Sequence, residues 1–97
     1  MSITIYWSEQ ARIDLQHIYD FIAEDSTYYA ELELVKIKTA TEILLKHPLA
    51  GRTVPELEQP DLRELIQGNY RIIYRFSNNE IFIITVHHGA KLLPKIE

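Results

Sequence analysis

Three β-branched and aromatic runs fill the second half of the chain, and only two short turn signals separate them. Leu62 to Ile66 is followed by Gly68-Asn69, Tyr70 to Phe76 by Ser77-Asn78-Asn79, and Glu80 to His88 completes the series. Strands joined by so few residues can pair only antiparallel, because a parallel crossover needs a dozen residues or more. The spacing predicts a three-stranded meander, and the rest of the chain must cover its faces.

The first half supplies that cover. Ile3-Thr4-Ile5-Tyr6-Trp7 reads as a short strand, and Ser8 before Glu9 is a helix N-cap with an acidic first turn. Ala11, Leu15, Ile18 and Ile22 then form one apolar stripe, which Glu24-Asp25-Ser26 ends. A second helix is expected from Thr27 to Lys46, with Ala30, Leu34, Ile37, Thr41 and Leu44 inward, stopping at His47-Pro48. Leu32, Val35 and Ile43 widen its apolar surface, through curvature of the core or through a partner's groove. Residues 48–60 hold three of the four prolines and read as a loop crossing to the sheet. The expected fold is α+β in the order β-α-α-β-β-β, a helical hairpin packed on one face of a small, mostly antiparallel sheet.

Ninety-seven residues suit a single domain spanning 1–97, and no cysteine is present to staple a smaller one or to ligate zinc as thiolate. A reducing, cytoplasmic setting fits, and no apolar run approaches the ~20 residues of a membrane span. The formal net charge is −4, the wrong sign for a protein held on nucleic acid by counterion release, so no sequence-specific nucleic-acid binding is expected. Residues 1–60 carry five basic against ten acidic side chains and residues 61–97 five against four, giving an acidic front and a mildly basic back.

Alternation along the strands places Tyr70, Ile72, Tyr74 and Phe76 under the helices and Arg71, Ile73 and Arg75 on the other face. On the last strand Phe82, Ile84 and Val86 are expected in the core, with Ile81, Ile83, Thr85 and His87 on the arginine face. That open face would gather Arg71, Arg75 and Arg63 near His87 or His88 and Lys91, a constellation able to hold a phosphate or an acidic partner. The same arginines could equally be strand residues paired with Glu64 or Glu80. Adjacent histidines on a strand point to opposite faces, so His87-His88 is not expected to bind a metal, and His17 and His47 read as structural or solvated. Without cysteine, a Gly-x-Ser-x-Gly elbow or a Gly-rich phosphate loop, no nucleophilic or nucleotide-binding motif is present and no cofactor is expected. Metal-free RNA cleavage, by histidine, arginine, lysine and tyrosine, remains chemically open.

Four stretches resemble the RelE/ParE superfamily of type II toxin–antitoxin toxins, most closely the ParE branch. They are Trp7-Ser8-Glu9-Gln10-Ala11-Arg12-Ile13-Asp14-Leu15 with Ile18 to Ala23; His47-Pro48-Leu49-Ala50-Gly51-Arg52; Leu62-Arg63-Glu64-Leu65 with Gly68-x-Tyr70-Arg71-Ile72-Ile73-Tyr74-Arg75; and Val86-His87-His88-Gly89-Ala90-Lys91. Lys91 stands where the family commonly has arginine, and the tail to Glu97, expected to fray, is drawn out.

The resemblance implies a growth-arresting toxin of the kind used in plasmid stabilisation, neutralised by a cognate antitoxin and assembling with it, with homodimerisation left open. ParE-like members inhibit DNA gyrase and replication, whereas RelE-like members cut messenger RNA on the ribosome and tend to be strongly basic. The acidic balance favours the ParE reading, in which the chain is a binding protein and not an enzyme. Arg63, Arg71, Arg75, His88 and Lys91 would then form a target- or antitoxin-facing cationic edge, with Tyr70 and Tyr74 packing the sheet on the helices. In the ribonuclease alternative His88 would be the general acid or base, with Arg63 and Arg71 on the phosphorane. A non-toxic antitoxin-binding relic is the third reading. On the cationic-edge reading, Arg71→Ala is expected to weaken toxicity at little cost in stability.

Overall fold

The computed structural model describes residues 2–89. Strand β1 (Thr4–Trp7) leads into α1 (Glu9–Ala23) and α2 (Thr27–Thr41), a 3-10 turn covers Glu42–Leu45, and β2 (Arg52–Thr53), β3 (Leu62–Gln67), β4 (Tyr70–Ser77) and β5 (Glu80–His88) follow. The sheet order is β1-β5-β4-β3-β2. β1 lies parallel to β5 and every other pair is antiparallel, so the expected α+β class and helical hairpin hold. The proline-rich segment contains the unpredicted two-residue β2, a length too short for any period to register.

Local chemistry sets the element boundaries. Ser8 Oγ accepts from Ala11 N–H at 3.0 Å and Ser26 Oγ from Tyr29 N–H at 3.2 Å, each capping a helix start. The second helix gives way to 3-10 geometry after Thr41, not at Lys46 as its pattern suggests, and Leu44 is still fully buried from the tighter turn. Between β4 and β5, Asn78 (φ 52°) and Asn79 (φ 61°) both adopt the left-handed conformation that a two-residue hairpin loop requires.

The main core lies between helices and sheet: Ala11 and Leu15 from α1, Ile37 from α2, Leu44, and Ile72, Tyr74, Ile81, Ile83 and Val86 from the sheet. This corrects the expected faces of β5. Tyr74 pairs with Ile83 but Ile73 with Thr85, so Ile84 is an extra residue and alternation slips by one. Ile81 and Ile83 thus enter the helix-side core, Phe82 is 40% exposed, and Ile84 packs on the opposite side. Beyond the bulge Thr85 and His87 keep the expected parity, paired with Ile73 and Arg71, and Thr85 Oγ1 also donates to Asp14 of α1. The start of α1 clasps the bulge at three further points, with Ser8 N–H donating to Ile83 O, Ser8 Oγ to Ile84 O, and Val86 N–H to Asp14.

The second sheet face is not open. Val54 and Leu57 of the β2–β3 segment lie over Leu62, Ile73 and Ile84 in a smaller core, so a strap covers the face that carries Arg71 and Arg75.

Candidate functional site

Tyr74, fully buried, ties the sheet to the loop before β2. Its hydroxyl donates to Pro48 O at 2.8 Å and accepts from Gly51 N–H at 2.9 Å. A Cβ on Gly51 would stand 2.6 Å from Tyr74 Cε1 and 2.7 Å from Glu64 O, so this approach requires glycine. Burial raises the Tyr74 hydroxyl above its usual value, opposed in part by the Gly51 N–H and by the Arg63 charge. Arg63 pairs in register with Tyr74 and so lies on the helix side of the sheet, its guanidinium donating to Gly51 O at 2.8 Å. It therefore does not join Arg71 on one face, because it occupies the other parity of β3.

Arg71 is 8% exposed and holds two carboxylates. Its Nε and Nη2 reach Glu64 Oε1 at 2.7 and 2.6 Å. Its Nη1 and Nη2 grip Glu56 at 2.5 and 2.7 Å. Arg52 Nε donates to the second Glu64 oxygen at 2.6 Å. Among the described residues, two arginines and two glutamates thus close a neutral cluster around a Glu64 side chain with no exposed surface. The Glu56 hydrogen bond raises the Arg71 pKa, burial opposes it and Glu64 reinforces it, so the guanidinium stays charged. Arg75 pairs with Asp61 at 2.6 Å, both partly exposed. Of the two partners expected from sequence, Glu64 binds Arg71 while Arg75 takes Asp61 and not Glu80.

His88 packs edge-on against Tyr70, ring centroids 5.6 Å apart. Burial and then the Glu33 carboxylate raise the Tyr70 hydroxyl. His88 lies on the rim of two concavities. One, of about 370 Å³, is lined by Arg52, Glu56, Tyr70, Arg71 and His88; the other, of about 560 Å³, runs between α1 and the sheet beside Asp14, His17, Phe21 and His87. The structure therefore brings Arg71 and His88 to one cavity and sets Arg63 and Arg75 elsewhere. Lys91 and the expected frayed tail lie outside the described residues. Among the described residues no cluster of three or more histidines and carboxylates is arranged to hold a metal. Sequence reading missed the Glu56 and Arg52 roles; the only signal was that Arg52, Glu64 and Arg71 all fall in motif stretches.

Residues 5–93 match the profile of the family described as the ParE toxin of the type II toxin–antitoxin system parDE. The chain is 32% identical over 89 residues to Toxin RelE2 of Caulobacter vibrioides, covering 91% of this chain and 97% of that one. Among solved structures it is similar to the chromosomal ParDE toxin–antitoxin system from P. aeruginosa, with a TM-score of 0.75, 23% identity, and 89% and 95% of the two chains covered. It is also similar to the RelBE2 toxin–antitoxin complex from Mycobacterium tuberculosis, with a TM-score of 0.64, 21% identity, and 91% and 99% covered. These two likenesses show the shared fold.

Proposed function

This chain belongs to the ParE toxin family of type II toxin–antitoxin systems, and from that premise we propose that it arrests growth by binding DNA gyrase in the cytoplasm until a cognate antitoxin covers it. The observation that carries this reading is the neutral cluster around Glu64. Cleaving RNA without a metal needs cations available to the charged phosphorane, and Arg71 and Arg52 already neutralise Glu56 and Glu64. A toxin that works by occupying a protein surface has no such need. Phe21, Tyr28, Tyr29 and Val35 on the helical hairpin are all more than half exposed, apolar area suited to a protein partner. Antitoxin binding is supported by the two structural neighbours, a ParDE toxin–antitoxin system and a RelBE2 toxin–antitoxin complex.

A RelE-like ribonuclease is the second reading, favoured by His88 and Arg71 sharing one cavity and by the relative named RelE2. The test is induction in bacteria without antitoxin, following thymidine and methionine incorporation together over the first minutes. Early loss of DNA synthesis with translation continuing is expected, together with inhibition of purified gyrase. Early loss of translation, abolished by His88→Ala, would transfer the assignment to messenger RNA cleavage. Soluble protein accumulating with neither pool affected would mark an antitoxin-binding relic.

A further inference from the structure

The two edges of the sheet are not protected alike. At one, β2 is two residues long, carries Arg52, and is followed within two residues by Pro55, and shortness, charge and proline each keep a sheet edge from pairing with another chain. At the other, β1 and its flanks run Ile3-Thr4-Ile5-Tyr6-Trp7-Ser8 without a charge, a proline or a break in register. Thr4 N–H donates to Asn79 O and Ser8 N–H to Ile83 O. In a parallel ladder every second residue bonds the neighbour, so Thr4, Tyr6 and Ser8 turn their backbone groups to β5 while Ile5 and Trp7 turn theirs away. Among the described residues no strand pairs with that outer side. The side chains there are also incompletely covered. Ile3, Ile5 and Trp7 are half-buried against the main core, and on the opposite sheet face Tyr6 stacks on Phe82 at 5.5 Å with both residues at least 40% exposed.

We propose that the partner of this edge is a second copy of the chain, joined strand to strand about a two-fold axis at Tyr6. Antiparallel pairing about that centre sets Ile5 against Trp7 of the second copy and Trp7 against its Ile5, each pair exchanging both backbone hydrogen bonds through the groups that face outward. Tyr6 then meets Tyr6 of the second copy at the closer, non-hydrogen-bonded spacing, and Phe82 extends the aromatic row on either side. Facing residues share a sheet face, so Ile5 and Trp7 complete each other's cover on the helix side. Charge selects a copy as the occupant: at a net charge of −4 two chains repel over most of their surface, and Ile3 to Ser8 is a stretch where no like charges meet. The contact is isologous and belongs to the small, transient class, since a single strand pair buries little area. The inference is independent of the gyrase reading, because association of the purified chain does not depend on which cellular process stops.

The experiment is sedimentation velocity of the purified chain from about 1 μM to 1 mM, beside Tyr6→Lys, Tyr6→Glu and an equimolar mixture of the two variants. Wild type should pass from monomer to dimer within that range. Each variant alone sets like charges directly opposite at the two-fold and loses the aromatic pair, so it should associate at least about 10-fold more weakly. The mixture should regain the dimer, because unlike charges then face each other. Hydrogen exchange on wild type decides the matter without any substitution: the Ile5 and Trp7 amides should be protected only at the top of the range, and those of Thr4 and Tyr6 throughout. A wild type that stays monomeric, a dimer unaffected by either variant alone, or a mixture no more associated than its components would overturn the inference. A wild-type monomer whose affinity for its antitoxin falls in Tyr6→Lys would also overturn it and give the edge to an antitoxin strand.

Discussion

Arg71→Ala should be strongly destabilising, the reverse of what an arginine on an open strand face would give. The substitution removes the contacts to Glu56 and Glu64 at once. Glu56, partly exposed, can turn to water and contributes little to the loss. Glu64 cannot, because its side chain has no exposed surface and would keep only Arg52, which is itself 62% exposed. Removing one partner of a buried ion pair costs about 3–5 kcal/mol, a large part of the ~5–15 kcal/mol available to a domain of this size. At roughly 4–8 °C per kcal/mol the melting midpoint should fall by roughly 12–40 °C. Urea unfolding followed through the sole tryptophan, Trp7, and by circular dichroism measures the cost. Adding Glu64→Gln to Arg71→Met should recover about 2 kcal/mol, because the stranded charge is gone. An Arg71→Ala protein within ~1 kcal/mol of wild type, or no recovery in the double variant, would refute the argument.

Tyr74→Phe should cost about 2 kcal/mol by orphaning the Gly51 N–H and Pro48 carbonyl, measurable as a lower urea midpoint. The folded-state pKa of Tyr74 and of Tyr70 lies above the ordinary phenol value of about 10, so their contribution is complete below that pH and is lost as pH rises from there through the folded values. The alkaline decline in wild-type stability should therefore be shallower in Tyr74→Phe. Gly51→Ala should destabilise by about 1–3 kcal/mol, because the strand and the Tyr74 ring must move apart to admit a methyl group. Ser8→Ala should cost about 1–2 kcal/mol in thermal unfolding, since one hydroxyl both caps α1 and donates to the bulged Ile84 carbonyl.

What the sequence disclosed was whatever repeats on a short period. The two helix stripes, the serine caps and the turns between β3, β4 and β5 are local signals, and each appears in the structure within a few residues of its expected place. The faces of β5 were not local: Ile84 is the extra residue of a bulge at which Ile84 O meets Ser8 and the next two residues meet Asp14, each about seventy residues earlier. The open arginine face failed for a related reason: no periodicity in residues 48–60 announces that Val54 and Leu57 fold back over Ile73. The motif stretches were found correctly, yet much of their content is internal. Gly51 answers Tyr74, Arg52 answers Glu64, and Glu64 answers Arg71. Pairings of this kind become visible only once the register of β3 against β4 is known.

The parallel pairing of β1 with β5 has a consequence for how a cell first meets this domain. A chain leaves the ribosome amino end first, and among the described residues β1 has no neighbour in the sheet other than β5. Ser8, which anchors the start of α1, reaches its Ile84 partner across 76 residues. Until β5 emerges, the nascent hairpin holds an uncovered apolar stripe and half of its clasp, a long-range dependence that slows folding. A message broken upstream of the codons for Glu80 to His88 would yield no closed sheet. The folded domain thus becomes available only in whole copies.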